Sequence, residues 1–566
     1  MRVVVVGGVA GGMSAAARLR RLDESAEIVV LEKGPDVSFA NCGLPYHVGG
    51  DIRDRSSLLL HTPQSLRDSL DLDVRVRHEV LAIDRAAQSV AVRDLASDRT
   101  YDLTYDALVL ATGAEPIVPP LPGLDRPQVR TLRNVPDADV LRSMLEAGAQ
   151  KAVVIGAGFI GLETVEAFRH RGLDVTLVEL APQVLPALDA DMASLIEDEL
   201  RAHDVDVRTG IAFSAVEDST TQHAVDVVLA DGGRIPADVV LLGVGVRPST
   251  TLARDAGLEL SPQGAVVVTT SQQTSDPRIW AVGDAIQVID AVTGAPGVVP
   301  LAGPANRQGR TAADAILGRA SASKPVLGTA IVKVFDLTAA VTGPTSRRLT
   351  AVGVEHRTIH LHPGNHAGYY PGAQAIHLAV TFAPDGRLLG AQAVGRDGVD
   401  KRIDVLAVAL RAGMDVDDLA ELELAYAPPF GSAKDPVNMA GFMAQNILDG
   451  MLVTWTAQEL DSVLDGSVLL LDVRSATEYA DGTLSGALNV PHTELRDRLD
   501  EVVAAAHGRP VRVFCASGFR SYLAHRVLVG HQLDSATLDG GLLTLAAARR
   551  DLALMPGALS RPVMTS

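Results

Sequence analysis

One layout occurs twice in this chain, and it restricts the fold more than any other feature. Residues 3–6, Val3-Val4-Val5-Val6, form an all-apolar run of the kind buried on both faces of a parallel sheet. They lead into Gly7-Gly8-Val9-Ala10-Gly11-Gly12, a helical pattern through Arg21, and a second strand pattern at 28–31 that ends at Glu32. The layout returns at Lys151: an apolar strand to Ile155, then Gly156-Ala157-Gly158-Phe159-Ile160-Gly161, a helix, and a strand at 175–178 ending at Glu179. Glycines at these positions let backbone approach a pyrophosphate at a helix N-terminus, and the terminal acid accepts ribose hydroxyls. Two such units predict two nucleotide cofactors. The second has the complete glycine pattern; the first carries Val9 at the middle position. Leu180, not an arginine, follows Glu179. A carboxylate there repels a 2′-phosphate, so NADH is expected ahead of NADPH, with NADPH left open.

Two further apolar strands end in small residues: Leu108-Val109-Leu110 before Ala111-Thr112-Gly113, and Ile279-Trp280-Ala281-Val282 before Gly283-Asp284. From about Ser323 the pattern changes. Residues 329–335, 352–361, 375–382 and 388–394 read as strands, with an Asp385-Gly386 turn between the last two. Helical patterns follow at 401–412 and 433–448. After the Asp449-Gly450 break, a last unit alternates strands with helices. The expected division is 1–150 and 246–322 for a first nucleotide domain split in sequence, 151–245 for a second, 323–449 for an α+β module, and 454–556 for the last unit.

The chain has only two cysteines, each in a distinctive setting. Cys42 lies in Ser38-Phe39-Ala40-Asn41-Cys42-Gly43-Leu44-Pro45-Tyr46, and Cys515 in Cys515-Ala516-Ser517-Gly518-Phe519-Arg520-Ser521. Neither has a CxxC partner, so each thiol must find its redox partner in a substrate, a flavin or another domain. This usage suggests chemistry on single sulfur atoms. In the second motif, backbone N–H groups at a helix start favour a thiolate and then a persulfide, and Arg520 adds positive charge. A cysteine-loop-arginine cradle also suits phosphate, but tyrosine phosphatases use six steps from Cys to Arg where Cys515 to Arg520 spans five.

A formal charge of -19 argues against nucleic acid as a partner. No run reaches the roughly 20 apolar residues that span a bilayer. The apolar start is too short for a secretory leader, so with two cysteines a reducing, cytoplasmic setting is expected. No metal is expected.

These motifs together resemble a known family. The cysteine motif around Cys42, His366-Ala367-Gly368-Tyr369-Tyr370-Pro371-Gly372-Ala373, and Ala425-Tyr426-Ala427-Pro428-Pro429-Phe430-Gly431-Ser432-Ala433-Lys434-Asp435 are similar to those of coenzyme A-disulfide reductases. Those belong to the FAD-dependent pyridine nucleotide-disulfide oxidoreductases. Leu470-Leu471-Asp472-Val473-Arg474, Gly486-Ala487-Leu488-Asn489-Val490-Pro491 and the Cys515 loop resemble a rhodanese domain, with Gly482-Thr483-Leu484 where Gly-His-Ile is common.

The resemblance implies an α/β protein: two Rossmann-like domains for FAD and NAD, an α+β dimerisation domain and a C-terminal α/β rhodanese domain. It implies FAD held by Gly7, Gly8, Gly11, Gly12, Glu32, Ala111, Thr112, Gly113, Gly283 and Asp284, and NAD by Gly156, Gly158, Gly161 and Glu179. Coenzyme A is assigned to Ser14, Arg18 and Arg21, which share one helix face, and to Ser38, Asn41, Asn306 and Lys434. Cys42 is the reactive thiol. Dithiol members of the superfamily carry a second cysteine five residues away, but here Val37 and His47 occupy those positions. Tyr369 and Tyr426, from the partner of a homodimer, would protonate the leaving thiolate, with Tyr370 an alternative to Tyr369. The implied activity is reduction of coenzyme A persulfide, polysulfide or coenzyme A disulfide, with sulfur delivered through Cys515. The rivals are an NADH oxidase or peroxidase using a Cys42 sulfenic acid, and a redox sensor.

Overall fold

Valine-rich runs build the centre of each nucleotide-binding sheet. In the computed structural model, which describes residues 1–552, Val3, Val4 and Val5 are fully buried. Their strand, Arg2–Val6, sits mid-sheet in the order Ile279–Ala281, Ala107–Leu110, Arg2–Val6, Glu27–Glu32, Asp73–Val76, all parallel. The strand at 279 thus lies in the first sheet, beside Ala107–Leu110. A second parallel sheet runs Asp206–Arg208, Asp174–Val178, Lys151–Ile155, Val239–Leu242, Val129–Arg130. Its edge strand, Val129–Arg130, precedes the second glycine loop in sequence. Helix Ala10–Leu22 packs closely on helix Ala302–Ile316. A Cβ at Gly309 would lie 2.2 Å from the Gly11 carbonyl oxygen, so glycine is required at that crossing.

These sheets lie in one compact unit, Met1–Pro182 with Asp204–Gly328. Gln183–His203 and the chain from Thr329 onward form a second unit. There an antiparallel sheet runs Ala330–Val334, Leu337–Thr342, Leu388–Gly395, Ile376–Phe382, Arg357–Leu361. It buries Ile359, Leu378, Val380 and Phe382 against helices Val399–Ala412 and Pro436–Leu448.

The expected strand at 352–361 is shorter. Residues Ser346–Ala351 form a helix capped by the Thr345 hydroxyl, Gly353 adopts φ +72°, and the strand begins at Arg357. The strand Leu337–Thr342 was not anticipated. It follows its neighbour after a two-residue turn in which Phe335 takes φ +51° without glycine, so no turn signal marks it.

The last sheet of this unit is wholly parallel: Thr454–Trp455, Ser535–Leu538, Val511–Phe514, Leu469–Asp472, Leu488–Asn489. The end of the expected 454–556 unit, 553–556, lies outside the described residues. Among the described residues no helix is long and apolar enough to cross a membrane.

Candidate active sites around two cysteines

The two glycine loops are built alike. Gly7 adopts φ +105° and Gly156 φ +103°; a Cβ would lie 2.2 Å from the Ala111 carbonyl oxygen in the first and 2.3 Å from that of Gly243 in the second. At Gly12 and Gly161 it would strike the carbonyl oxygen of the loop's own first glycine, at 1.9 and 2.0 Å. Gly8 and Gly11 are closed off by Val37 and Val282 side chains, at 2.7 and 2.9 Å. Gly158 has nothing within 4 Å, which leaves its face open to a pyrophosphate.

The strand-end acids brace these loops. Glu32 accepts from the Gly8 and Gly34 N–H groups at 2.8 and 2.7 Å, and Glu179 from Ala157 and Ala181 at 2.6 and 2.7 Å. Each carboxylate has about four acceptor sites, so capacity remains for ribose hydroxyls. Thr112 donates to the Ser249 carbonyl at 2.6 Å, and Gly113, at φ +67°, makes room for Arg133. Arg133 lies 3.9 Å from Asp284, whose carboxyl is pushed up by burial against the pull of that guanidinium. Both loops therefore fit dinucleotides.

Cys42 sits on a short turn, Asn41–Gly43, that runs directly into helix Leu44–Gly49 with Pro45 in its first turn. The Ser38 N–H donates to the Gly8 carbonyl at 2.7 Å, which ties the motif to the first glycine loop; Ser38 itself takes φ +49°. Cys42 is free and exposed. Crowding around its sulfur pushes the thiol up, Glu163 and Asp284 push it further, and Arg133 opposes them. The Tyr46 hydroxyl donates to Glu163 at 3.1 Å. Burial raises the Glu163 carboxyl to about 7, despite that hydrogen bond and with the help of Glu166. Asn41 is engaged by Arg133: its amide donates to the Arg133 carbonyl at 2.7 Å and accepts from the guanidinium.

Glu163 and Arg133 were missed in the sequence. The available signal was a carboxylate two residues past Gly161, inside an otherwise apolar helix start.

The basic stripe is present but partly committed. The Ser14 hydroxyl donates to Asn306 Oδ1 at 2.6 Å, so those two residues do meet. Arg18, however, places Nε and Nη2 on Asp314 Oδ1 at 3.0 and 2.8 Å, and its charge is balanced within the chain. Arg21 is exposed at the end of the helix.

In the second unit the Tyr369 and Tyr426 hydroxyls are 3.0 Å apart, both on exposed side chains. That hydrogen bond raises the Tyr369 phenol. Tyr370 instead turns its ring edge-on to His366, 5.6 Å between centroids. The two tyrosine loops are tied together from below. Buried Arg402 donates to the Asn365 carbonyl at 2.9 Å and to Asp435 at 2.8 Å, and the Ala367 N–H donates to the Gly431 carbonyl at 2.9 Å. Lys401 reaches the Ala425 and Phe430 carbonyls at 3.4 and 3.3 Å. Lys434 is exposed beside Asp435. Arg402 was not singled out in the sequence.

Cys515 is free and fully buried. Gly518, at φ +96°, opens helix Phe519–Gly530, and the N–H groups of Gly518 and Ser521 point at the sulfur from 3.2 and 3.4 Å. The Ser521 hydroxyl lies 3.5 Å from it. Arg520 forms a two-armed pair with Glu478, 2.7 Å on each arm, and this holds the Glu478 carboxyl at about 2. Thr483, standing where histidine is common, donates to Asp472 at 2.8 Å, and buried Arg474 binds the same carboxylate at 2.7 Å.

Comparison with known proteins agrees with this architecture. Residues 1–309 match the pyridine nucleotide-disulphide oxidoreductase family, 329–436 its dimerisation domain, and 456–548 the rhodanese-like domain. A Staphylococcus haemolyticus protein named coenzyme A disulfide reductase is 38% identical over 449 residues, 79% of this chain and 100% of that protein. The solved structure of reduced CoADR-RHD from Bacillus anthracis is 43% identical with a TM-score of 0.95, covering 98% of this chain and 99% of that one. A NAD-dependent persulfide reductase from A. fulgidus is 38% identical with a TM-score of 0.90, covering 96% and 100%. The chain is a member of the pyridine nucleotide-disulphide oxidoreductase family, a flavin-dependent enzyme with the family's dimerisation domain and a C-terminal rhodanese-like domain.

Proposed function

We propose that this protein is an NAD(P)H-dependent flavoprotein reductase of coenzyme A persulfide, polysulfide and coenzyme A disulfide, and that its rhodanese-like domain delivers the sulfur. The observation that carries this reading is the state of the two thiols: one free and exposed beside a nucleotide loop, the other free, buried and ringed by N–H groups. The names of the S. haemolyticus and A. fulgidus relatives support the same substrates.

The overall reaction on the persulfide is CoA-S-SH + NADH + H⁺ → CoA-SH + H₂S + NAD⁺. The Cys42 thiolate attacks the coenzyme A-bound sulfur; the Cys42–S–S–CoA bond forms as the original S–S bond breaks and hydrosulfide leaves. Bound FAD supplies the means of turning a hydride from NADH into the electron pair that cleaves this mixed disulfide. The Tyr369–Tyr426 pair, contributed by the second subunit of a homodimer, gives the leaving sulfur its proton. Coenzyme A is assigned to Ser14, Arg21, Ser38, Asn41, Asn306 and Lys434, and to Arg18 once it is shared with Asp314. The Cys515 thiolate takes sulfane sulfur from a donor and passes it to coenzyme A. Glu179 favours NADH.

The test is anaerobic NADH oxidation with coenzyme A persulfide, coenzyme A disulfide and polysulfide, with released sulfide measured alongside. Rapid persulfide turnover with sulfide release is expected. Rapid oxygen-driven NADH oxidation that coenzyme A does not affect, with no sulfur reduction, would support the oxidase reading instead.

A further inference from the structure

His360 lies 179 residues from Asp539 in sequence, yet the two are tightly joined within the second unit. Its Nδ1 is 2.6 Å from Asp539 Oδ2, its backbone N–H donates to Asp539 Oδ1 at 3.1 Å, and its Nε2 is 2.7 Å from Asp191 Oδ2. A ring with a carboxylate on each nitrogen must donate from both, which requires the imidazolium.

Asp539 opens the turn Asp539-Gly540-Gly541, and that turn is wedged between His360 and the Cys515 loop. Gly540 and Gly541 take φ +62° and +66°. A Cβ on Gly540 would lie 2.8 Å from His360 Cβ, and one on Gly541 would lie 2.7 Å from the carbonyl oxygens of Cys515 and Ala516. Past the turn, the Leu542 and Leu543 N–H groups donate to those same two carbonyls at 2.9 and 3.0 Å. In a trans peptide the C=O and the following N–H point opposite ways. Pinning these two carbonyls therefore fixes the N–H groups of Ala516 and Ser517 on the side of the loop away from the glycine turn, in the loop whose Gly518 and Ser521 N–H groups reach the sulfur.

We propose that His360, braced by Asp191 and Asp539, is a positioning residue for sulfur transfer at Cys515: it fixes the glycine turn that orients the persulfide loop's amides. The proposal rests on the reading of Cys515 as a sulfur carrier. The charged and titratable groups near His360 are Asp191 from helix Ala190–Ala202, Asp539 from the turn, and His362 just past the end of its own strand, with His377 on the adjacent strand packed against His362. Burial works against the charge, but Asp539 and Asp191 hold His360 well above the usual imidazole range. Burial keeps His362 low and His377 at about 4, so both stay neutral.

The test is thiosulfate:cyanide sulfurtransfer by the full-length, FAD-loaded protein. In this assay the Cys515 thiolate attacks the sulfane sulfur, sulfite leaves as the S–S bond breaks, and cyanide then removes the sulfur as thiocyanate. His360→Gln and Asp539→Asn are expected to lower kcat about tenfold with KM unchanged, and Asp191→Asn to lower it less. The wild-type kcat should fall at alkaline pH as His360 loses its second ring proton, and that limb should vanish in His360→Gln. Coenzyme A disulfide reduction and FAD content serve as controls for folding. If His360→Gln fails those controls, Asp539→Asn decides. Unchanged kcat and pH profile in a folded variant overturn the positioning role. No thiocyanate from the wild type overturns the sulfur-carrier reading beneath it.

Discussion

The two cysteines are opposites in almost every physical respect. Cys42 is exposed on a short turn, with two carboxylates and one guanidinium setting its charge balance. Cys515 is fully buried, and its polar neighbours are backbone N–H groups and a serine hydroxyl. An exposed thiol near Glu163 and Asp284 depends on what approaches it, which suits attack on a large substrate. A thiol inside a fixed ring of donors is preorganised to hold a persulfide. The difference teaches that one chain can keep two sulfur chemistries apart by giving one site side-chain electrostatics and the other backbone dipoles.

The largest expected effects come from exchanging each sulfur for oxygen. Cys42→Ser should lower NADH-dependent reduction by at least about 10³-fold while leaving thiosulfate:cyanide transfer intact; Cys515→Ser should do the reverse. Loss of both activities in either variant would break the comparison.

Next comes the anchor beneath the tyrosine pair. Arg402→Ala takes the nearest cation from buried Asp435, leaving it Lys401 at 3.7 Å and the Val437 N–H at 3.1 Å, a loss of up to about 3–5 kcal/mol that should appear as a lower midpoint in denaturant unfolding. Reductase activity should fall with it, because the Asn365 and Asp435 ends lose their shared donor.

At Cys515 a smaller change is available in the hydroxyl that accepts from the thiol and donates to the Gly518 carbonyl. Ser521→Ala removes the hydroxyl 3.5 Å from the sulfur and should slow sulfurtransfer about tenfold, with Cys42 chemistry unaffected. At Cys42 the corresponding change is electrostatic. Glu163→Gln removes a negative neighbour, so alkylation of Cys42 should shift to lower pH, measured by iodoacetamide rates.

The smallest effect is on stability. Burial raises the Glu163 carboxyl to about 7, above its unfolded value, so its ionisation opposes the folded state. Stability should decline as pH rises from the ordinary carboxylate range through about 7, and Glu163→Gln should flatten that slope in urea melts across pH.

Much of this was legible in the sequence because local geometry demanded particular residues. Gly7, Gly12, Gly156 and Gly161 leave no room for a Cβ, and a strand-end acid braces each loop. The Tyr369–Tyr426 pairing followed from a resemblance, and the structure places Tyr369 rather than Tyr370 against Tyr426.

What stayed hidden was long-range. The sequence pattern assigns Arg18 to coenzyme A without its partner, because Asp314 lies 296 residues away, and Arg402 and His360 are ordinary members of a helix and a strand until Asp435 and Asp539 are brought to them. Arg520 was read as a charge for the sulfur, but the chain gives it a bidentate partner in Glu478. Such pairings are set by tertiary folding, and neither periodicity nor spacing encodes them.

The most direct test of two separate thiols working in series is a single turnover. The protein is loaded with thiosulfate to put one sulfane sulfur on Cys515, freed of excess donor, and mixed anaerobically with coenzyme A and NADH. The account predicts sulfide release matched to NADH oxidation and to the sulfur loaded, lost in Cys42→Ser with the persulfide left in place on Cys515 or on coenzyme A. Undiminished sulfide release from Cys42→Ser, or a loaded wild-type protein that consumes no NADH, would contradict it.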